Sequence, residues 1–224
     1  MKQQSRDEIA IIVFDLDGTI TRYDTYVRFL LYVISRKPLK LARLPLLSID
    51  VLRHKLGSQT NSWLKKRFLS ALLAGHDQQT INGWALSFSQ NVISSGLYSD
   101  ALACVKQHQE SGAELVLLSA SLDIYVEPLG EMLGFKNIIC TRTTWDNDVL
   151  GGELDGGNCY GETKLKRIHQ WLEGRPASNI LAAYGDHETD FPLLKIAQRG
   201  IVVNPDAKLT LKAKENQLEL VDWE

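Results

Sequence analysis

Asp15 and Asp17 stand two residues apart, directly after an apolar run that spans residues 9–14. If strand geometry continues past the run, its period of two turns both carboxylates to the same side of the chain. Two carboxylates held this close repel each other, and a bound cation relieves that repulsion. Mg²⁺ favours a site built from oxygen ligands, retained water and a substrate phosphate. The pair therefore predicts a magnesium site for phosphate chemistry, to which Asp186 would add a further carboxylate.

The residues that follow the two aspartates suit a bound phosphate. Gly18 lets the backbone turn sharply next to an anion, and Thr19 offers a hydroxyl and an amide. Residues 15–18 on their own are equally typical of a plain loop of turn-forming residues. The phosphate interpretation is favoured because further polar residues follow in an order that completes a phosphoryl-transfer site. These residues are Ser119, Lys164, Asp186 and Asp190.

Four short apolar runs, each followed by polar residues, predict the strands that position these side chains. They span residues 9–14, 115–118, 180–184 and 201–203. Buried parallel strands are near-continuous apolar runs of this kind, and open α/β sheets place their sites beyond the carboxyl ends of the strands. Helices predicted at residues 100–111 and 164–172 separate the runs and give right-handed βαβ crossovers. The predicted fold class is α/β with a parallel sheet.

The segment from residue 22 to residue 99 is too long for one crossover and is predicted to be helical throughout. Its best-defined helix has apolar residues at helical spacing after a candidate N-cap, Asp77. We interpret this apolar stripe as core packing. These apolar residues are Ile81, Trp84, Ala85, Phe88 and Val92. We expect residues 1–21 and 100–224 to form a catalytic core and residues 22–99 a helical cap domain. Turn residues within 141–158 predict a small hairpin or an irregular excursion there.

Four short motifs, taken together, carry a resemblance to a known family. Asp15-Leu16-Asp17-Gly18-Thr19 follows the first apolar run, Ser119 follows the second, Lys164 precedes the third, and Gly185-Asp186 with Asp190 follows it. The set resembles the motifs of the haloacid dehalogenase-like hydrolases. This resemblance implies a Rossmann-like sheet with a type-one (C1) helical cap inserted after the first strand. Residues 118–121, 157–164 and 184–186 are similar to subfamily IB, the group of phosphoserine phosphatase-like and phosphatidylglycerophosphate phosphatase-like proteins.

The resemblance implies catalytic and metal-binding roles. Asp15 would attack phosphorus to form an aspartyl-phosphate. Asp17 would protonate the leaving oxygen and later deprotonate the attacking water. Mg²⁺ would be held by Asp15, the backbone carbonyl of Asp17, and Asp186, and would neutralise charge on the transferring phosphoryl group.

The resemblance also implies which side chains meet the phosphate. Ser119 would hydrogen-bond a phosphate oxygen, and Lys164 would place a fixed positive charge beside Asp15 and the phosphoryl group. Asp190 would support the site by positioning Lys164 or a metal-bound water. The expected phosphate-binding set is completed by Gly18, Thr19 and Ala120.

Two cap residues resemble the substrate-binding residues of phosphoserine phosphatases. Asp24 lies nine residues after Asp15, where those enzymes carry an acid that meets the substrate amine, and Arg67 resembles their carboxylate-binding arginine. Against this, the glycine pair that follows their second motif is Ala120-Ser121 here. The expected function is hydrolysis of a small or lipid-linked phosphomonoester. The alternatives are a phosphoserine phosphatase, a phosphotransferase with another acceptor, and a regulatory binding protein with little turnover.

Basic residues concentrate in the predicted cap. The net charge of the chain is −2, yet residues 25–76 contain ten Lys or Arg and a single acid, Asp50. Such a segment attracts a phosphorylated substrate or an anionic membrane, with a solvated helical face as the alternative. Apolar residues at 29–34 and 44–47 fit either peripheral membrane contact or two cap helices packed together. Nucleic acid is not an expected partner, because no nucleic-acid-binding motif accompanies the cations.

The composition is typical of a water-soluble globular protein, with 44% hydrophobic and 23% charged residues among 224. No run approaches the roughly 18 uncharged apolar residues of a membrane span, and residues 1–9 lack a signal-peptide core. Three cysteines at wide spacings are interpreted as thiols in a reducing compartment. We therefore expect a cytoplasmic location.

Overall fold

The computed structural model describes residues 10–175 and 180–224. Within them, seven strands form one sheet: β1 (Ile11–Phe14), β2 (Glu114–Leu122), β3 (Asn137–Asp146), β4 (Val149–Asp155), β5 (Ile180–Gly185), β6 (Arg199–Val203) and β7 (Glu219–Val221). Their order is β4-β3-β2-β1-β5-β6-β7, and neighbours are parallel except β3 and β4. The predicted α/β class is confirmed. Ile9, which belongs to the first predicted run, lies outside the described residues.

Strand β1 runs through the middle of the protein with both of its faces covered. Ile12 and Phe14 belong to one apolar cluster, and Ile11 and Val13 belong to a second. Each of the four residues is at most 1% exposed. Because successive strand residues point to opposite faces, this division explains why the run is continuously apolar rather than alternating.

The chain between β1 and β2 is largely helical, as predicted. It contains α1 (Thr25–Arg36), a 3-10 helix (Pro38–Arg43), α2 (Leu44–Lys55), α3 (Asn61–Phe68), a π-helix (Leu69–Leu73), α4 (Gln78–Ser95) and α5 (Ser99–Glu110). Asp24, Thr60 and Asp77 cap α1, α3 and α4 by accepting a first-turn amide hydrogen bond. We call residues 22–99 the helical insert. Whether the insert is a separate domain stays a prediction.

The apolar stripe predicted on α4 faces the core. Ile81, Ala85, Phe88 and Val92 are buried, and Trp84 packs partly buried against the same cluster. That cluster also contains Phe14 of β1, so the insert and the sheet share one apolar core. The stripe therefore serves packing, as expected from its spacing.

Four further α-helices and a short 3-10 helix (Glu188–Asp190) lie among the described residues after β2. The α-helices are α6 (Asp123–Met132), α7 (Glu162–Trp171), α8 (Phe191–Ile196) and α9 (Ala207–Glu215). The helices predicted at residues 100–111 and 164–172 correspond to α5 and α7. In residues 10–175 and 180–224, none of the helices is long and apolar enough to cross a membrane.

Strands β3 and β4 form the hairpin predicted within residues 141–158. Asn147 and Asp148 make its turn with φ of 46° and 63°, a region that Asn and Asp tolerate. The sequence did not predict that β3 begins at Asn137 and pairs with β2. The hairpin also meets the insert, because the amide of Gly75 donates to the carbonyl of Leu150 at 2.9 Å.

Candidate active site

The carboxyl ends of three neighbouring strands meet at one edge of the sheet. Strand β1 lies between β2 and β5. Asp15 directly follows β1, Ser119 lies near the end of β2, and Asp186 directly follows β5. Because adjacent parallel strands end at the same edge, residues far apart in the chain come together there. This edge carries the candidate active site.

Lys164, in the first turn of α7, lies between two buried carboxylates. Its Nζ atom is 2.6 Å from Oδ1 of Asp15 and 2.6 Å from Oδ1 of Asp190. Burial alone would lower the pKa of Lys164, but the charges of Asp15 and Asp190 outweigh it and raise that pKa. Burial also raises the pKa of Asp15, and the charge of Lys164 opposes that shift. Lys164 therefore stays protonated beside the nearest carboxylates.

Three carboxylates form a cluster at this edge. One oxygen each of Asp15, Asp186 and Asp190 lies within 4.8 Å of the others. Burial, reinforced by the charge of Asp190, raises the pKa of Asp186 to about 7. Gly18 makes room for the cluster, since a Cβ there would lie 2.0 Å from Oδ2 of Asp186. Crowded carboxylate oxygens of this kind suit a hard divalent cation.

The carboxylate of Asp17 is directed towards the insert and β2. Its Oδ1 accepts hydrogen bonds from the amide and the hydroxyl of Thr25, at 2.6 and 2.5 Å. Its Oδ2 accepts from the hydroxyls of Ser121, at 2.6 Å, and Ser119, at 3.5 Å. Burial raises the pKa of Asp17, the charge of Asp24 adds to the shift, and the hydrogen bonds oppose it. A raised pKa suits a carboxyl group that exchanges protons near neutral pH.

The predicted metal set and the observed carboxylate cluster differ in one member. The sequence prediction combined the backbone carbonyl of Asp17 with the side chains of Asp15 and Asp186, whereas the cluster of carboxylates contains Asp190 together with Asp15 and Asp186. The Asp17 carboxylate is already occupied by Thr25 and Ser121, so its side chain is not available to that cluster. A contact through the backbone carbonyl of Asp17 stays a prediction.

The predicted phosphate-binding residues lie beside the two aspartates, Thr19 next to Asp15 and Ser119 next to Asp17. The hydroxyl of Thr19 is 3.4 Å from Oδ2 of Asp15, and the hydroxyl of Ser119 accepts the amide hydrogen of Ser121 at 3.0 Å. Gly18 and Ala120 line the adjoining cavity. The fold thus gathers residues from two strand ends beside Asp15 and Asp17.

A cavity of about 730 Å³ adjoins the carboxylates. Asp15, Asp17 and Lys164 belong to its polar end. Apolar side chains of the insert form much of the remaining wall, among them Val27, Leu30, Leu31, Ile34, Leu64 and Phe68. Such a cavity can hold an anion at one end and an apolar group at the other.

The two cap residues predicted to bind substrate have different surroundings. Asp24 lines the cavity, and its Oδ1 accepts the amide hydrogen of Val27 at 3.0 Å. Arg67 is not among the described residues that line the cavity. Its Nε donates to Oδ2 of the buried Asp50 at 2.9 Å. The structure therefore gives no support to a substrate contact by Arg67, because Asp50 already pairs with its guanidinium.

Lys65 of α3 lies in the site and was not predicted. The residue is 7% exposed, and its Nζ donates to the carbonyl of Ala120 at 2.5 Å and to Oδ1 of Asn158 at 2.9 Å. The same atom lies 5.0 Å from the centre of the Tyr26 ring. Burial lowers the pKa of Lys65 to about 8, although the charge of Asp17 opposes the shift. Lys65 thus joins the insert to the end of β2.

Thr25 and Ser121 are two further site residues that the sequence reading missed. Ser121 could have been found, because period-two alternation from Ser119 turns it to the same side of β2. Lys65 could not, since it starts a run of three cations at residues 65–67 and helix packing decides which of them is buried.

Comparison with known proteins agrees with the motifs. The model of the haloacid dehalogenase-like hydrolases matches residues 12–195. Protein CicA of Caulobacter vibrioides is 32% identical over 194 residues, which cover 85% of this chain and 84% of CicA. A histidinol-phosphatase of Neisseria meningitidis is 26% identical over 212 residues, 92% of this chain and 95% of that one. The inhibition of morphological differentiation protein of Streptomyces azureus is 30% identical over 161 residues, which cover 70% of this chain and 57% of that relative.

Solved structures share the fold. A protein of unknown function from Bordetella pertussis aligns with a TM-score of 0.82 at 24% identity, over 95% of this chain and 97% of that chain. A substrate-bound phosphoserine phosphatase aligns with a TM-score of 0.62 at 17% identity, over 95% and 92%. At these identities the likeness concerns the fold, and the placement in subfamily IB stays a prediction.

Proposed function

Because the chain belongs to the haloacid dehalogenase-like hydrolases, we propose that it is a magnesium-dependent phosphatase that hydrolyses phosphomonoesters through Asp15. The observation that carries this proposal is the 2.6 Å contact between Asp15 and Lys164 beside the cavity. A fixed ammonium group favours the ionised form of a buried carboxylate. It also attracts the phosphate oxygens that the carboxylate must approach.

The reaction would proceed in two displacements. An oxygen of Asp15 forms a bond to phosphorus as the bond to the leaving oxygen breaks, and Asp17 gives its proton to that oxygen. Water then attacks phosphorus, Asp17 takes a proton from it, and the bond between phosphorus and Asp15 breaks. Phosphate leaves, and both aspartates return to their starting states. The raised pKa of Asp17 supports this alternation between acid and base.

Asp15 and Asp186 are the side chains we assign to Mg²⁺, together with the backbone carbonyl of Asp17. Their oxygen-only chemistry and the space left by Gly18 fit this ion. The carboxylate of Asp190 already has other partners, because it pairs with Lys164 and accepts the amide hydrogen of His187 at 3.3 Å. We therefore assign Asp190 to positioning Lys164. Mg²⁺, when bound, would neutralise charge on the transferring phosphoryl group.

The phosphate-binding role is assigned to Ser119, Thr19 and Lys164, with the backbone at Gly18 and Ala120 adjoining. Ser119 and Thr19 are fully buried hydroxyls beside Asp17 and Asp15. Buried hydroxyl groups with fixed positions can donate hydrogen bonds to the charge that develops on phosphate oxygens, and the site does not have to rearrange during the reaction.

The substrate is proposed to be a phosphomonoester with an apolar organic group. The wall that the insert contributes to the cavity is mainly apolar, and we propose that the insert acts as the cap domain that selects the substrate. Phosphoserine is the second candidate, because Asp24 lines the cavity and could meet an amine. Its carboxylate would need a cation other than Arg67, and Lys65 is a buried cation in the cavity wall.

The first test is turnover of a generic aryl phosphate with and without Mg²⁺ by the wild type, Asp15→Asn and Asp222→Asn. Asp222 is exposed and serves as a matched control for the loss of a carboxylate. We expect Mg²⁺-dependent turnover that falls at least about a thousandfold in Asp15→Asn alone. Acid-quenched wild type should carry the mass of one phosphoryl group on Asp15. Full activity of Asp15→Asn would refute the proposed nucleophile.

Two alternatives are distinguished in the same assay. A phosphotransferase would form phosphorylated products when candidate alcohols are added, whereas a phosphatase would release inorganic phosphate only. A regulatory binding protein would bind phosphoserine or a lipid phosphate in the presence of Mg²⁺ and leave both intact.

A further inference from the structure

Exposed apolar side chains concentrate in one part of the insert. Of the large hydrophobic residues that are at least 36% exposed in the described part of the chain, half lie between residues 27 and 56. They are Val27, Leu31, Leu39, Leu41, Leu46, Ile49, Leu52 and Leu56. Leu39, in the 3-10 helix, is 92% exposed. Isolated exposed apolar residues are ordinary, but a concentration of this size marks an interaction surface.

Helix α2 is apolar on two opposite faces. Its inner face carries Leu44 and Val51, which line the cavity, and the buried Leu47. The outer stripe, which we define as Leu46, Ile49, Leu52 and Leu56, is 50–75% exposed. At about 100° per residue these four positions fall within an arc of roughly 120°. A helix that is apolar on both sides normally has both sides covered.

Cations flank the outer stripe. Arg36, Lys37 and Arg43 precede it and Arg53 and Lys55 lie within its helix, all of them exposed. Asp50, the only acid in residues 25–76, is 2% exposed and pairs with Arg53 and Arg67. The surface therefore presents positive charge and apolar side chains together.

We propose that this surface of the insert, the outer stripe with its flanking cations and Leu39, docks on an anionic lipid bilayer. Lipid headgroups of negative charge complement the cations, and the acyl boundary accepts the leucines. A second copy of the chain fits less well, because a symmetric contact would bring the same cations face to face. Val27 and Leu31 of α1 are half-exposed and line the cavity, whereas none of the four stripe residues does, so the proposed docking surface is distinct from the cavity wall.

Flotation with lipid vesicles tests the docking. The 224-residue protein is mixed with phosphatidylcholine vesicles or with vesicles that also contain phosphatidylglycerol. We expect binding to the anionic vesicles that weakens as salt is added. Leu46→Asp combined with Ile49→Asp should lower that binding at least about tenfold. Leu211→Asp, which alters a 65% exposed leucine of α9, should leave it unchanged.

Charge is tested separately. Lys37→Glu with Lys55→Glu should weaken binding to anionic vesicles, and the exposed Lys208→Glu should not. Circular dichroism of each variant verifies that it is folded. Absence of vesicle binding by the wild type, or stripe variants that float as well as the wild type, would overturn the proposal. So would a wild-type dimer in light scattering that the stripe variants convert to monomer.

Vesicle binding is measured without turnover, so the docking and the proposed phosphatase activity can fail independently. If the wild type hydrolyses the aryl phosphate but does not float with vesicles, only the membrane-docking proposal is refuted. If the wild type floats with anionic vesicles but shows no turnover, the docking proposal stands and the proposed phosphatase activity is refuted.

Discussion

The carboxylate of Asp17 accepts two hydrogen bonds from Thr25, one from its amide at 2.6 Å and one from its hydroxyl at 2.5 Å. Thr25 is the first residue of α1, and Asp17 lies just beyond β1. The helical insert therefore fixes the orientation of the proposed general acid in the core. This relationship gives the insert a part in the chemistry as well as in the shape of the cavity.

Thr25→Val should lower turnover of an aryl phosphate by roughly tenfold or more, because a hydrogen bond to a charged group is worth about 1.5–3 kcal/mol. The hydroxyl of Thr25 lowers the pKa of Asp17, so its loss should raise that pKa and move the alkaline limb of the pH–rate profile, where Asp17 loses the proton that it donates, to higher pH. Thr25→Ser keeps the hydroxyl and should retain both properties. Equal profiles for all three proteins would show that this contact does not govern Asp17.

Lys164→Met should lower the free energy of unfolding by about 3–5 kcal/mol, since it leaves the buried carboxylates of Asp15 and Asp190 without their cation. Urea unfolding measures the change. Lys166→Met, on the exposed side of the same helix, should stay within about 0.5 kcal/mol of the wild type. Adding Asp190→Asn to Lys164→Met should recover part of the loss. If the double variant is no more stable than Lys164→Met, uncompensated charge is not the cause of the lost stability.

Gly18→Ala should weaken the Mg²⁺ response of the enzyme. Gly18 has φ of 77°, and a Cβ there would meet Oδ2 of Asp186 at 2.0 Å. Gly57→Ala is the matched control, because Gly57 has φ of 75° and nothing within 4 Å of its Cβ position. Both variants carry a similar backbone strain of about 1 kcal/mol. Mg²⁺ titrations of turnover should therefore separate them, and an equal Mg²⁺ requirement would argue against Asp186 as a ligand.

Lys65 should make stability rise with pH in an alkaline window. Its pKa is lowered from 10.5 to about 8 by burial, so between these values the unfolded chain binds more protons than the folded chain. The free energy of unfolding should then rise by up to roughly 3 kcal/mol across the window. Urea unfolding of Lys65→Met should lack this rise, whereas Lys66→Met, whose side chain is 39% exposed, should keep it. If the free energy of unfolding of Lys65→Met still rises across this window, another titrating group causes the rise.

Much of the fold could be predicted because its strands are buried on both faces. Each predicted run from 9–14 to 201–203 overlaps an observed strand, since a continuous apolar run bounded by polar residues fits little else. Strand β3 was incompletely predicted, because its residues are only partly buried and alternate less clearly. Its pairing with β2 depends on contacts between distant parts of the chain.

The candidate site likewise contains residues that the sequence predicts and residues that it does not. Asp15, Ser119 and Asp186 were predicted to lie together because each follows or lies near the carboxyl end of a strand, and the topology brings these ends together. Lys164, in the first turn of α7, was predicted from the family resemblance. Arg67 was predicted to bind substrate, but Lys65 lines the cavity instead. Residues two apart on a helix point about 200° apart, so a misjudged helix face exchanges an inner residue for an outer one.

The sequence by itself determined the chemical groups of this protein and their order along strands and loops. It specified two aspartates after a buried strand, a lysine that opens a helix, and two more aspartates after a later strand. Tertiary structure alone decided which cation of residues 65–67 is buried, which carboxylates cluster, and that α2 leaves an apolar stripe uncovered. The reason is physical: local spacing sets which residues share a face, but only packing between distant segments decides what that face meets.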